Sequence, residues 1–238
     1  VDRPEKRRLE QGDLDAAMQG AHAAVDVTYT TAPHHAAAME LHASVASWDG
    51  DSVTVRGAFQ MLKYNRSELA DALDIEADQV RILAPYVGGG FGSKLGISPE
   101  AVAAAIAARD LGRPVRVVMT RQQVFGMTTH RTSTRQRIRL AADRDGKLTA
   151  LGHEDHVYNL PHESFSEPTA QSTHFLYAGA NRRLAQSVAR VNRACAGSVR
   201  APGEAVGMLA LEGAMDELAD ALALDPIELR KRNIPERH

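Results

Sequence analysis

The residues best suited to binding chemistry form a glycine-rich stretch at positions 87–94, with the sequence VGGGFGSK. It follows a strand-like run that ends at Leu83 and precedes a helix signature that begins at Ser98. Glycines have no side chain, so the backbone can adopt positive φ and approach a ligand closely. Backbone N–H groups freed in this way can bind an anion. The alternative interpretation is a glycine-rich turn that only crosses a crowded core.

Two familiar phosphate-binding motifs do not fit this stretch. A Walker loop needs Gly-Lys followed by Ser or Thr, whereas here Ser93 precedes Lys94 and Leu95 follows it. The dinucleotide pattern G-x-G-x-x-G fails from Gly88 and from Gly90, because Ser93 and Leu95 occupy its last position. The stretch therefore matches neither motif.

Two further polar residues occupy positions from which they could reach a ligand. Gln60 ends a strand-like run and opens the next helix, so its amide could point into a site. Arg200 lies in a turn that enters a long helix, where an arginine beside freed amides could hold an anionic group. Taken singly, a capping glutamine and a salt-bridged arginine explain them better.

The histidines do not form a recognisable metal site. His34, His35 and His42 lie close together in the sequence, as do His153 and His156. Neither set has a known ligand spacing or a carboxylate or cysteine at a fixed offset. Surface or structural histidines are therefore favoured over metal ligands.

A basic run in the middle of the chain raises the question of nucleic-acid binding. Its residues on one predicted strand, Arg135, Arg137 and Arg139, would share a strand face. Aromatic residues make up only 5% of the chain, and no stacking motif is present. A solvated face or a subunit interface is favoured. The arginines of the run are at positions 113, 116, 121, 131, 135, 137, 139 and 144.

Composition excludes several classes of protein. The 238 residues, 44% hydrophobic and 24% charged, are typical of a soluble globular protein, and the net charge of −2 argues against a general polyanion binder. The single cysteine, Cys195, excludes an intrachain disulfide and any zinc-thiolate or iron–sulfur site of this chain alone. No apolar run approaches the length of a membrane span. The charged N-terminus, without Met or an apolar segment, predicts a processed product or part of something longer.

The predicted elements alternate between hairpins and scattered helices, which favours an α+β fold of mixed sheets with several packed helices. No periodicity is present from Asn159 to Arg183, and a stretch of this length is functional or disordered. A final helix begins with Asp225 as its cap and a proline at its first position. The predicted strands are 25–30, 42–48, 52–57, 79–84, 114–120, 134–142, 147–158 and 184–191, and the other predicted helices are 13–24, 61–73, 98–112 and 204–224.

Taken together and in this order, these segments resemble the molybdenum-binding subunit of the xanthine dehydrogenase and aldehyde oxidase family. The resemblance extends over nearly the whole chain, and no single motif carries it. The form RAPGEA at 200–205 is most similar to the bacterial aldehyde-oxidase-like branch. The matching segments are 35–40, 43–48, Gln60, 88–94, 112–115, 120–121, 145–150, 200–203 and 225–233.

The resemblance implies a molybdopterin cofactor, with or without a nucleotide, and gives roles to residues of this chain. Gln60 matches the catalytic glutamine whose amide hydrogen-bonds the apical oxo group on molybdenum. The glycine loop and the turn at 200–201 match segments whose backbone meets the cofactor. Because the pterin dithiolene holds the metal in this family, no protein residue is expected to ligate it. The implied cofactor-binding residues are Gly89, Gly90, Phe91, Gly92, Arg200 and Ala201.

The implied reaction is hydroxylation of an electron-poor carbon, in an aldehyde or N-heterocycle, with oxygen from water and electrons passing to Fe–S and FAD centres. Purine-binding members place an acid just after the loop lysine, where this chain has Leu95, and an arginine near Pro168, where none is present. The resemblance therefore favours an aldehyde over xanthine. The family's general-base glutamate lies in a C-terminal Gly-x-Gly-Glu segment that this sequence lacks, and Gly203-Glu204 belongs to the cofactor turn.

We therefore expect residues 1–238 to be the first molybdopterin-binding domain of a larger subunit, without its N-terminal α/β and C-terminal cofactor-binding parts. The expected partners are that remaining portion, an Fe–S subunit, an FAD subunit and an aldehyde substrate, with no nucleic acid and no membrane. The complex is expected in the cytoplasm, or in the periplasm if a partner exports it. The alternative is a non-catalytic remnant or partner-binding domain without the catalytic glutamate. A weaker alternative is an anion-binding module.

Overall fold

The computed structural model describes residues 1–235, which form two compact units. The first unit comprises Val1–Pro33, Thr132–Ala196 and the chain from Ala201 onward, and the second comprises His34–Arg131 with Gly197–Arg200. No described helix is long and apolar enough to cross a membrane. The strands are β1 (Leu9–Gln11), β2 (Ala23–Thr31), β3 (His34–His35), β4 (Ala43–Asp49), β5 (Ser52–Gly57), β6 (Val80–Leu83), β7 (Val115–Val118), β8 (His130–Arg131), β9 (Thr134–Ala142), β10 (Leu148–Asn159) and β11 (Asn181–Arg190). The helices are α1 (Leu14–Gln19), α2 (Leu62–Leu73), α3 (Pro99–Leu111), α4 (Arg121–Met127), α5 (Glu204–Ala221) and α6 (Pro226–Arg232).

The first unit is built on a five-stranded mixed sheet with the order β1-β11-β10-β9-β2. Only β10 and β11 pair in parallel, because the irregular segment between them returns the chain to the same end of the sheet. Apolar residues at helical spacing along α5, including Leu211, Met215 and Leu218, pack on Ile138 and Leu151 of the sheet. The α+β fold class is thereby confirmed.

Local signals set the turns of this unit. Between β9 and β10, the Asp143 carboxylate accepts the N–H groups of Asp145 and Lys147, and Gly146 has a φ of +74°. Before α6, the Asp225 carboxylate accepts the N–H groups of Ile227 and Glu228, as its predicted role as a cap requires. The hairpin and the final helix are both where the sequence predicts them.

Two arginines of β9, Arg137 and Arg139, lie on the sheet face opposite α5 and are paired with acids. Arg137 makes a two-fold contact with Asp26 on β2. Arg139 contacts Asp15 and Glu154, both at 2.6 Å. These ion pairs account for both arginines as parts of a charged, partly solvated face.

The second unit has a four-stranded sheet of order β6-β5-β4-β7, and a separate ribbon of β3 and β8. Helix α2 connects β5 to the parallel strand β6. Helix α3 turns a face of small residues, Ala101, Ala104 and Ala105, to the core, where none of them is exposed. Small side chains allow the helix backbone to lie close to the sheet. Gly112 ends this helix with a φ of +59°, as the sequence predicts.

Several predicted boundaries are wrong. The helix predicted over 13–24 ends at Gln19, because pairing with β9 draws the chain from Ala23 onward into β2. The strand predicted at 114–120 is shorter, Val115–Val118, because it is the edge strand β7 and pairs only with β4. Strand β11 begins at Asn181, before the predicted start, because polar residues of this strand are buried in a polar interior. Helix α4, which the sequence analysis missed, begins with a capping box between Thr120 and Gln123.

Part of the interior of the first unit is polar. His153 Nε2 lies 3.0 Å from Gln136 Oε1, and its Nδ1 lies 2.8 Å from Thr173 Oγ1. Because the Gln136 amide nitrogen donates elsewhere, its oxygen faces the ring, so His153 carries its proton on Nε2. Burial lowers the pKa of His153 to about 4, which keeps the ring neutral.

A buried carboxyl continues this polar interior. Asp155 accepts hydrogen bonds from Thr169 Oγ1 and Gln186 Nε2, and Gln186 also donates to the backbone oxygen of Glu167. Burial raises the pKa of Asp155 to about 7, although both hydrogen bonds oppose the shift. The carboxyl therefore changes charge near neutral pH.

We expect Asp155→Asn to remove a pH dependence from the stability of this unit. The folded state retains the Asp155 proton up to about pH 7, whereas an unfolded aspartate loses it near pH 4. The contribution of Asp155 to the free energy of unfolding therefore falls by on the order of 3 kcal/mol as pH rises from about 4. It levels off above about pH 7. Urea unfolding measures the effect at pH 5 and pH 8. Relative to the wild type, the free energy of unfolding of the variant should be higher at pH 8 than at pH 5.

His153 has the opposite effect on stability over part of the same pH range. Because burial lowers its pKa, the stability that its neutral form contributes is lost as pH falls through about 4. Comparing the variant with the wild type at each pH cancels this contribution. An equal difference between the two proteins at both pH values would contradict the assignment to Asp155.

Candidate functional site

The glycine loop has an unusual backbone. Gly89 and Gly92 have φ values of +91° and +109°, and Phe91 between them has a φ of +53°. A non-glycine residue in this region is strained, and such residues cluster at functional sites. Gly90 is buried, whereas the Phe91 side chain is 46% exposed. The loop is therefore a shaped backbone surface rather than a simple connection.

Gln60 lies against this loop and is held in one orientation. Its Oε1 accepts the N–H of Gly92 at 3.1 Å and the N–H of Lys94 at 3.2 Å. Its own backbone N–H donates to the oxygen of Lys94 at 2.9 Å. A Cβ on Gly90 would fall 2.2 Å from Gln60 Oε1, so only glycine leaves room for this amide. With Oε1 fixed by two donors, Nε2 must point away from the loop backbone.

The segment before Arg200 lies beside the same loop. The Arg200 N–H donates to the Phe91 oxygen at 2.9 Å, and a Cβ on Gly92 would fall 2.1 Å from the backbone oxygen of Ser198. The buried guanidinium of Arg131 donates to the backbone oxygens of Val199 and Arg200. The second unit thus brings Gln60, residues 89–92 and Arg200 together, as the sequence predicts for one site.

An ion pair between the buried Lys94 and the partly exposed Glu40 supports the loop. Lys94 Nζ lies 2.6 Å from Glu40 Oε2, and the Lys94 side chain has no exposed surface. The same Glu40 oxygen accepts the N–H of Gly88 at 2.8 Å. Partial burial opposes ionisation of Glu40, yet the bonds from Lys94 and Gly88 hold the pKa of this carboxyl below its usual range.

The arrangement leaves several hydrogen-bond donors without an acceptor. Within residues 1–235, no acceptor lies in bonding distance of the N–H groups of Gly89, Gly90 and Phe91, of Gln60 Nε2 or of the Arg200 guanidinium. Neutral and cationic donors on neighbouring residues around positive-φ backbone suit an anionic, oxygen-rich ligand. A molybdopterin, with its phosphate and its oxo-bearing metal, has the acceptors that this donor set requires, so the residues fit the group.

Ala201, the remaining predicted cofactor residue, belongs to the first unit. It has a φ of +56° and its oxygen accepts the N–H of Ala205 in the first turn of α5. In this unit the buried Glu167 accepts the N–H of Gly203 at 2.7 Å, and a Cβ on Gly203 would fall 2.3 Å from the oxygen of Pro168. The segment 159–183, which has no periodicity in the sequence, thus supports the start of α5.

The supporting residues Glu40, Arg131 and Glu167 were not predicted from the sequence. They act through contacts with residues far away in the chain, so no local sequence pattern marks them. Among the described residues, no three His, Cys, Asp or Glu side chains are grouped so as to hold a metal ion. His35 instead stacks on His130 and contacts Phe125.

Comparison with known proteins assigns this chain to a family. The profile of the molybdopterin cofactor-binding domain family matches residues 2–234, and the chain belongs to this family. The chain is 44% identical over 222 residues to the aldehyde oxidoreductase molybdenum-binding subunit PaoC of Escherichia coli (strain K12), which covers 93% of the chain. The predicted resemblance to molybdenum-binding subunits of the xanthine dehydrogenase and aldehyde oxidase family is confirmed.

Solved structures agree with this assignment. Quinoline 2-oxidoreductase from Pseudomonas putida 86 superimposes with a TM-score of 0.88 and 27% identity, over 98% of this chain and 30% of that one. Aldehyde oxidoreductase from Desulfovibrio gigas gives a TM-score of 0.89 at 25% identity, over 97% of this chain and 26% of that one. The chain spans only 30% of the length of PaoC.

Proposed function

We propose that this chain forms part of a molybdenum hydroxylase and provides one wall of its molybdopterin site. The observation that carries the proposal is that Gln60, the loop 89–91 and Arg200 lie together and carry donors without acceptors. The similarity to an aldehyde oxidoreductase subunit supports the same activity. When bound, the cofactor would supply the two-electron chemistry that adds a water-derived oxygen to the substrate carbon.

The residues of this chain would bind and orient rather than carry out the redox step. Gln60 Nε2 would donate to an oxygen on the metal, because its Oε1 is already occupied by Gly92 and Lys94. The N–H groups of the loop would meet the pterin, and the Arg200 side chain would contact an anionic group. Because the Gln60 amide is held by two backbone N–H groups before binding, it needs no reorientation when the cofactor binds.

We propose an aldehyde as the substrate rather than a purine. Leu95 follows the loop lysine where purine-binding members have an acid, and no arginine is present near Pro168, where they have one. The backbone oxygen of Leu95 accepts from Asn65 Nδ2 at 2.7 Å, so this position is held in place and presents an apolar side chain. An apolar residue cannot pair with the polar edge of a purine, whereas it tolerates an aldehyde.

The proposal includes partners and the rest of the subunit. The remaining portion would supply the other cofactor contacts and the general-base glutamate, and separate Fe–S and FAD subunits would accept the electrons. We place the complex in the cytoplasm, or in the periplasm if it is exported with a partner. A non-catalytic remnant is not favoured, since the chain retains both the matching sequence and the donor arrangement.

The proposed activity can be tested on the complete enzyme co-purified with its partners. We expect turnover of an aldehyde with an artificial electron acceptor in ¹⁸O-labelled water to place the label in the carboxylic acid product. Xanthine, as the matched purine substrate, should give turnover at least about 100-fold lower. Product without label, or faster turnover of xanthine, would contradict the proposal.

A further inference from the structure

One carboxylate oxygen connects the two ends of the segment that carries the free N–H groups. Glu40 Oε2 accepts the N–H of Gly88, before that segment, and the ammonium of Lys94, after it. Lys94 Nζ also donates to the backbone oxygen of Glu40 at 3.3 Å. Glu40 comes from the stretch before β4 and is separated from Lys94 by 54 positions in the chain. The loop is therefore closed through a side chain from a different part of the second unit.

The Lys94 ammonium depends on this carboxylate. Its side chain is completely buried, and Glu40 provides both of its acceptors among the described residues. Removing the Glu40 carboxylate, whose side chain is 38% exposed, leaves the buried Lys94 charge without its ion-pair partner, which is unfavourable. Lys94 would then move towards water or draw another polar group inward.

Movement of Lys94 would disturb Gln60. The Lys94 N–H donates to Gln60 Oε1, and the Lys94 oxygen accepts the Gln60 N–H. The orientation of the Gln60 amide therefore depends on where the Lys94 backbone lies. A chain of direct contacts thus leads from the Glu40 carboxylate through Lys94 to the Gln60 amide.

We propose that Glu40 is a positioning residue of the cofactor site, which acts through Lys94 to hold the glycine loop and the Gln60 amide ready for binding. This inference rests on the proposed function, since it concerns the same site. The competing explanation is an ion pair that stabilises the unit as a whole and has no particular effect on the loop. The two explanations differ in what happens to the Gly92 and Lys94 amides, which Glu40 does not touch.

The test compares Glu40→Gln with a matched control in the complete protein. Glu68 is the control, because its carboxylate also accepts a backbone N–H, that of Ile97 at 2.6 Å, just outside the loop. We expect Glu40→Gln to lower the molybdenum content per chain at least fivefold. In cofactor-free protein it should speed hydrogen exchange at the Gly92 and Lys94 amides at least tenfold. Glu68→Gln should change neither quantity.

The double variant Glu40→Gln/Lys94→Met tests the route of the effect and remains informative if the single variant folds poorly. It has no unpaired buried charge, and the amide oxygen of the introduced glutamine can still accept the Gly88 N–H. We expect exchange at Gly92 to stay at least tenfold faster than in wild type, because the bridge from Glu40 to Lys94 that closes the loop is absent. Wild-type molybdenum content and exchange in Glu40→Gln, or wild-type exchange in the double variant, would overturn the inference. A wild-type protein without molybdenum would instead contradict the proposed function.

Discussion

Replacing Gln60 with alanine is expected to lower kcat of the complete enzyme by about 100- to 1,000-fold, the usual effect of losing one fixed donor at a reacting centre. The loss of stability should be much smaller, about 1–2 kcal/mol, because Gln60 accepts only two backbone N–H groups and lies at the surface, where water can replace it. Steady-state kinetics and urea unfolding of the same preparation measure both effects.

Gln60→Glu separates the two roles of the side chain. A glutamate can still accept the N–H groups of Gly92 and Lys94, but it has no N–H to donate. We therefore expect turnover as low as in Gln60→Ala with stability close to wild type. Gln79 is a matched control, since its amide also bridges backbone groups in the same unit, from Glu76 N–H to the Asp51 oxygen. Gln79→Ala should leave kcat unchanged, and parallel losses of turnover and stability in both Gln60 variants would indicate a structural glutamine.

Replacing Gly92 with alanine is expected to abolish cofactor binding, with molybdenum content below about a tenth of wild type. Its Cβ would fall 2.1 Å from the Ser198 oxygen and 2.8 Å from the Val199 Cα, both backbone atoms that cannot rotate away. The φ of +109° adds strain for any residue with a side chain. Either the loop or the segment before Arg200 must therefore move. Either movement separates the loop N–H groups from Arg200.

Two other glycines of the second unit provide controls for this substitution. Gly126 lies in α4 with no atom within 4 Å of an added Cβ, so Gly126→Ala should leave molybdenum content unchanged. Gly112 also has open space around an added Cβ, but its φ is +59°. Gly112→Ala therefore tests backbone strain alone, which should lower the free energy of unfolding by about 1–2 kcal/mol. Metal analysis and thermal melting distinguish the three variants. Wild-type molybdenum content in Gly92→Ala would show that the close approach at this glycine is not needed for binding.

Features with a local physical cause could be predicted from the sequence. The hairpin between β9 and β10 follows from a turn that needs glycine, and the ends of α3 follow from Pro99 and Gly112. The loop and Gln60 could be located because motif order is a property of the chain itself. Their actual conformation, including positive φ at Phe91, has no sequence signal, because a non-glycine residue rarely adopts it.

Features that depend on distant contacts could not be predicted. The parallel pairing of β10 and β11 follows an irregular segment whose path no periodicity reveals. The edge position of β7 depends on which strands lie beside it, and Val115–Val118 is apolar enough for either position. The bonds from Glu40 to Lys94 and from Arg131 to residues 199–200 join segments that share no pattern. The supporting part of the site was therefore found only in three dimensions.

The most direct test of the central claim is the molybdenum and pterin content of the complete protein, purified with its partners from cells that make the cofactor. Metal analysis and fluorescence of the oxidised pterin should give one molybdenum and one pterin per chain. Gly92→Ala, purified in parallel, should contain neither while Gly126→Ala contains both. A folded wild-type complex without molybdenum and pterin would contradict the assignment of Gln60, the glycine loop and Arg200 to a molybdopterin site.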